Sequence, residues 1–152
     1  MRRTARGFTL VEVLVALVVL ALGLLGVAKL FVVTIRGNAS ATSRLYAVNL
    51  AADLGDRIRA NRTAGIAYAG SAKDYGCIGG TVGAIQCSPA QMAATDLAQW
   101  QRQIASTWPS GATGTVTYAS GGTGLPATYT ITVAWLEAGT GQSLSYAVRV
   151  II

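Results

Sequence analysis

The chain has no histidine, only two cysteines, and charged side chains at just 12% of its 152 residues. Without histidine, neither a Ser-His-Asp nor a Cys-His arrangement is available for nucleophilic catalysis. The six acidic residues are scattered, so no paired carboxylates stand ready for acid–base chemistry. Cys77 and Cys87 lie too far apart for a C-x-x-C motif, and no second pair exists to complete a zinc site. Gly79, Gly80 and Gly83 are not followed by Gly-Lys-Ser/Thr, which removes the phosphate-loop reading. The sequence therefore presents no catalytic residue, no metal ligand set, no cofactor motif and no small-molecule substrate site. The formal charge of +6 is not a nucleic-acid signal either, because no stripe of Arg and Lys interleaved with aromatic residues appears.

What the chain has in abundance is apolar side chain, at 52%. A length of 152 residues supports one compact domain, so part of this hydrophobicity is expected to meet lipid or other subunits. The N-terminus shows where. Arg2, Arg3 and Arg6 precede Gly7, then Phe8-Thr9-Leu10-Val11-Glu12, then an uncharged apolar run from Val13 to Ala28. As a helix at about 1.5 Å per residue, Phe8 to Ala28 reaches roughly 30 Å, the thickness of a bilayer core. The three arginines place their end in the cytoplasm by the positive-inside rule. Once residues 1–7 are removed, nine basic side chains stand against six acidic ones.

Glu12 interrupts this run, and a carboxylate costs up to about 2.5–3.5 kcal/mol at a bilayer centre. It either snorkels or stays protonated, or it pairs with a cation. Cleavage after Gly7 would create an ammonium at Phe8 about one helical turn away, and the same group on a neighbouring subunit could replace it.

Arg6-Gly7-Phe8-Thr9-Leu10-Val11-Glu12 resembles the processing motif of type IV prepilins and of type II secretion pseudopilins. The resemblance implies that a prepilin peptidase cuts after Gly7, that Phe8 is the methylated terminus and that Glu12 is the assembly glutamate. Major pilins often bend this helix with a proline; here Gly23, Gly26 and Gly37 are the positions expected to loosen it. A rival reading takes Gly26-Val27-Ala28 as a signal peptidase I site releasing a secreted domain. Glu12 argues against it, since an ordinary signal sequence gains nothing from a charge at that depth.

Beyond the apolar run, Ala47, Leu50, Ala51, Leu54 and Ile58 form one helical stripe, and Asp53 with Arg57 supports the polar side. The helix is expected to end before Gly65, with Arg57, Arg59 and Arg62 as a solvated, dipole-favoured end. Residues 63–88, rich in Gly, Ala and Ser, read as a loop. A disulfide between Cys77 and Cys87 is the plain reading there, with two unpaired buried thiols as the alternative. Ser88-Pro89-Ala90-Gln91 carries an N-cap, a proline at the first helical position and a capping-box glutamine. It opens a second helix with the stripe Ala93, Leu97, Trp100, Ile104 and Trp108, stopped by Pro109 and Gly111. Both tryptophans are expected in the core.

Val116 and Tyr118, then Tyr129 to Trp135, then Leu144 to Ile152 alternate with period two and are separated by Gly121-Gly122 and Gly139-Thr140-Gly141. They predict an antiparallel meander with one face against the helix. Residues 54–62 and 87–100 also resemble minor pilins of the PilV kind, the type IV pilus modification proteins.

The expected fold is thus α+β and type IV pilin-like: a long, partly transmembrane N-terminal helix packed on a small antiparallel sheet, with an additional helix. The expected divisions are a cleaved leader at 1–7, a transmembrane and assembly helix at 8–30, and a periplasmic or extracellular pilin domain at 31–152. Implied partners are other pilins, major and minor, the prepilin peptidase, the pilus assembly machinery and inner-membrane lipid. A secretion pseudopilin and a binding domain that never polymerises are the alternatives.

Overall fold

The computed structural model describes residues 7–78, 86–108, 111–137 and 139–152. The Arg2, Arg3 and Arg6 leader, the Gly79, Gly80 and Gly83 loop and the Pro109 stop lie outside these residues. The elements are helix α1 (Leu10–Ala60), a 3-10 segment (Arg62–Ala69), helix α2 (Pro89–Thr107) and strands β1 (Ala112–Ala119), β2 (Thr128–Leu136) and β3 (Ser143–Ile151). The chain forms two compact units that divide between Ala39 and Ser40.

In the first unit, every described residue up to Ala39 is exposed. Thr9 opens α1 by accepting the Glu12 amide on its hydroxyl at 3.3 Å and on its carbonyl at 3.1 Å, satisfying an amide that has no helical partner. The helix then runs without interruption through Gly23, Gly26 and Gly37. By length and composition it is apolar enough to cross a membrane.

In the second unit, Ala47, Ala51, Leu54 and Ile58 are fully buried, as their stripe predicts, and Leu50 is half-buried. These side chains meet a three-stranded antiparallel sheet in the order β1-β2-β3. Tyr129, Ile131, Val133 and Trp135 of β2 are buried, whereas Thr113, Thr115 and Thr117 of β1 and Ser143 and Ser145 of β3 are exposed. That division is the period-two alternation of a sheet with one covered face.

Helix α2 begins as its sequence dictates. The Ser88 hydroxyl accepts the Gln91 amide at 3.2 Å, and the Gln91 side chain accepts the Ser88 amide at 2.9 Å. Ala93, Leu97, Trp100 and Ile104 are buried, and Trp108 at the helix end stacks on Trp135 with ring centroids 5.6 Å apart. Trp100 and Ile104 lie so close to β1 that a Cβ at Gly114 would come within 2.5 Å of both. Only glycine fits under that ring.

The helix ends at Ala60, before Gly65 as expected, but the chain then enters the 3-10 segment where a loop was expected, with Gly65 inside it at φ 52°. The reason is tertiary: the Tyr68 hydroxyl reaches back to the last turn of α1, which holds the segment against the helix. Periodicity carries no trace of that contact.

Candidate functional site

Among the residues singled out from sequence, Gly7, Phe8 and Glu12 gather at the start of α1. Gly7 and Phe8 precede the helix, and Phe8 is exposed. Phe8, Glu12, Val13, Ala16, Leu17 and Leu20 line a shallow, mostly apolar groove along one helix face. The spacing explains it, because residues four apart stack on one face. Glu12 thus shares a face with Phe8. Among the described residues Glu12 forms no ion pair within the chain. A carboxylate in an apolar groove beside Phe8 can accept a cation supplied from outside. Sequence reasoning did not single out Thr9, although Thr9-Leu10-Val11-Glu12 carries the S/T-x-x-E pattern that opens helices.

The second cluster ties the end of α1 to α2. Cys77 and Cys87 are joined by a disulfide, 10 residues apart. The chain before it is pinned to α2. The Lys73 amide donates to the Ala94 carbonyl at 3.0 Å, the Tyr75 amide to the Thr95 hydroxyl at 3.1 Å, and Arg102 pairs with Asp74 at 2.8 Å. The Gly76 amide and then Arg102 hold the Asp74 carboxyl below the usual range.

Arg57 departs from the solvated reading given to its cluster. Its guanidinium donates to Asp53 at 3.0 Å, and also to Asp96 and Gln99 at 3.1 Å each. Asp96 is buried, and its other oxygen accepts the Tyr68 hydroxyl at 2.7 Å. Burial first, and then this bond to Asp96, pushes the Tyr68 hydroxyl well above the ordinary tyrosine range, so it remains a donor. Arg59 keeps an exposed partner in Asp56, as a solvated helix end would. The Ser40 hydroxyl donates to Glu137, and the Asn61 side-chain amide donates to the Pro89 carbonyl at 2.9 Å.

These arrangements build and position; among the described residues none assembles three metal-ligating side chains. They define an α+β unit and a long apolar helix whose exposed N-terminal groove includes the Glu12 carboxylate. Residues 2–28 match a family model described as the prokaryotic N-terminal methylation motif, and residues 30–98 match one described as Type IV pilin Tt1218. The second match spans less than half of the chain; the long apolar helix, extra helix and small antiparallel sheet are the α+β, type IV pilin-like arrangement expected from the sequence. Motif and helix together fit a membrane-anchored pilin. No curated protein and no solved structure matches the chain.

Proposed function

We propose that this chain is a minor pilin that takes part in assembling or priming a type IV pilus. It inserts with its N-terminus in the cytoplasm and residues 31–152 on the far side of the inner membrane. The prepilin peptidase cuts after Gly7, Phe8 becomes the methylated terminus, and the subunit leaves lipid for a filament of other pilins. The observation that carries the reading is Glu12, a carboxylate in a 21-residue stretch that is otherwise apolar or uncharged, on the same face as Phe8. Its desolvation in lipid is offset when the Phe8 ammonium of a neighbouring subunit seats in the groove, and that pairing fixes the axial register of packed helices.

The assignment to minor pilins of the PilV kind is supported by the resemblance over residues 54–62 and 87–100. The test compares membrane and sheared-filament fractions for wild type, Glu12→Gln and Glu12→Ala. Both variants should be cut and inserted normally, because removal of the charge eases insertion, yet enter filaments poorly. Normal incorporation of Glu12→Ala would overturn the pairing role.

A further inference from the structure

The apolar part of α1 does not end at Ala28. Lys29 is followed by Leu30-Phe31-Val32-Val33-Thr34-Ile35 before the next charge, Arg36, and the five large apolar side chains among them are as exposed as those before Lys29. The one hydroxyl in this stretch, on Thr34, donates to the Leu30 carbonyl at 2.9 Å, so it carries no unmet donor into lipid. Phe8 to Ile35 is 28 residues. As helix that is about 42 Å, against a hydrocarbon core of roughly 30 Å. Tilting all of it into the core would take about 44°, beyond the usual range, and would immerse two charges at once.

Two shorter windows fit the core instead. Residues 8–28, 21 in number, lie between the arginine leader and Lys29 and enclose Glu12 as their one charge. Residues 13–35, 23 in number, lie between Glu12 and Arg36 and enclose Lys29 as theirs. The enclosed charge sits near an end each time. Glu12 is four residues inside the first window, and Lys29 is six inside the second, with a long stem that reaches back towards the headgroups. Each window thus spans the core at the cost of one charge near its edge. Lys29 and Arg36, two turns apart on one helix face, are the alternative anchors at the far headgroups.

We infer that α1 occupies two depths in the bilayer, an outer one with residues 8–28 in the core and an inner one with residues 13–35, about 9 Å apart along the helix. Glu12 disfavours the outer depth and Lys29 the inner. The two depths require only that α1 spans the membrane. Their use rests on the function proposed above: a neighbour's ammonium on Glu12 offsets the charge that the outer depth immerses and leaves Lys29 unaffected, so pairing draws the helix outward.

The test introduces Leu10→Cys, Leu20→Cys or Val33→Cys singly into the full chain in lipid nanodiscs, which leave both faces open to a charged, water-soluble maleimide. Cys77 and Cys87 are bonded to each other and do not compete. Position 10 is in water only at the inner depth, position 33 only at the outer, and position 20 at neither. Each charge is then removed and read at the far end, where it cannot act on the thiol directly. Glu12→Gln should speed labelling at position 33, and Lys29→Leu should speed it at position 10, each by about tenfold. Protection at position 20 with unchanged or slower labelling in either variant would overturn the two depths and leave the membrane anchor standing. Labelling at position 20 as fast as at position 10 would show that α1 does not span the bilayer, and would overturn the anchored reading and this inference together.

Discussion

The Trp100 indole Nε1–H donates to the Leu50 backbone carbonyl at 2.9 Å, joining the middle of α2 to the buried face of α1. The ring is fully buried and its far edge rests on Gly114. One side chain therefore sets the spacing of both helices against β1. Trp100→Ala should destabilise the globular unit by about 3–5 kcal/mol. Trp100→Phe loses the hydrogen bond and part of the ring, and should fall between that variant and wild type. Gly114→Ala should cost about 1–3 kcal/mol by forcing the ring or strand to move. Denaturant unfolding of the three variants checks the order, and a neutral Gly114→Ala would contradict the packing described.

Asp96 holds Arg57 and Tyr68 together, so its removal leaves a partly buried guanidinium and a buried hydroxyl each short of a partner. Asp96→Ala should cost about 3–5 kcal/mol, as expected when one partner of a buried pair is deleted. Tyr68→Phe should cost less, on the order of 1–2 kcal/mol. A double-mutant cycle between Arg57 and Asp96 should show coupling, whereas Arg59 with Asp56, exposed on the helix surface, should show little.

Much of this architecture is legible in the sequence because the signals are local. The Ser88 capping box, the α2 stripe, the three alternating strands and the apolar N-terminal run each depend on residues a few positions apart. The Arg57–Asp96–Tyr68 cluster depends on contacts between residues 39 and 28 positions apart, and Ser40 with Glu137 on a separation of 97. No periodicity encodes such pairs. For the same reason a 3-10 segment rich in Ala and Gly read as a loop, and Gly114 did not stand out until Trp100 was seen lying against it.

Titration should expose two opposite trends. Tyr68 has its pKa raised on folding, mainly by burial, so its contribution is full below the unfolded tyrosine value of about 10 and is lost as pH rises beyond it. Glu137 has its pKa lowered, first by the Ser40 hydroxyl and then by Thr140. Its contribution is present above the unfolded carboxylate value of about 4.3 and is lost as pH falls through the folded value. Thermal melts across pH should show Tyr68→Phe flattening the alkaline limb and Glu137→Gln flattening the acid limb.

Replacing both Cys77 and Cys87 with serine should lower the stability of the globular unit by about 2–3 kcal/mol, as expected for a loop this short. Membrane insertion should be unchanged, since the apolar stretch of α1 is distant in sequence. Fractionation and a denaturant midpoint on the same preparation separate the two effects.

The central claim is that the N-terminus is a prepilin processing site, and intact-mass and terminal-peptide mass spectrometry of the chain from its native membrane tests it directly. The account predicts a mature chain that begins at Phe8 and carries a methylated amine. A terminus at Lys29, following Gly26-Val27-Ala28, or a chain still beginning at Met1 in assembled material would contradict it.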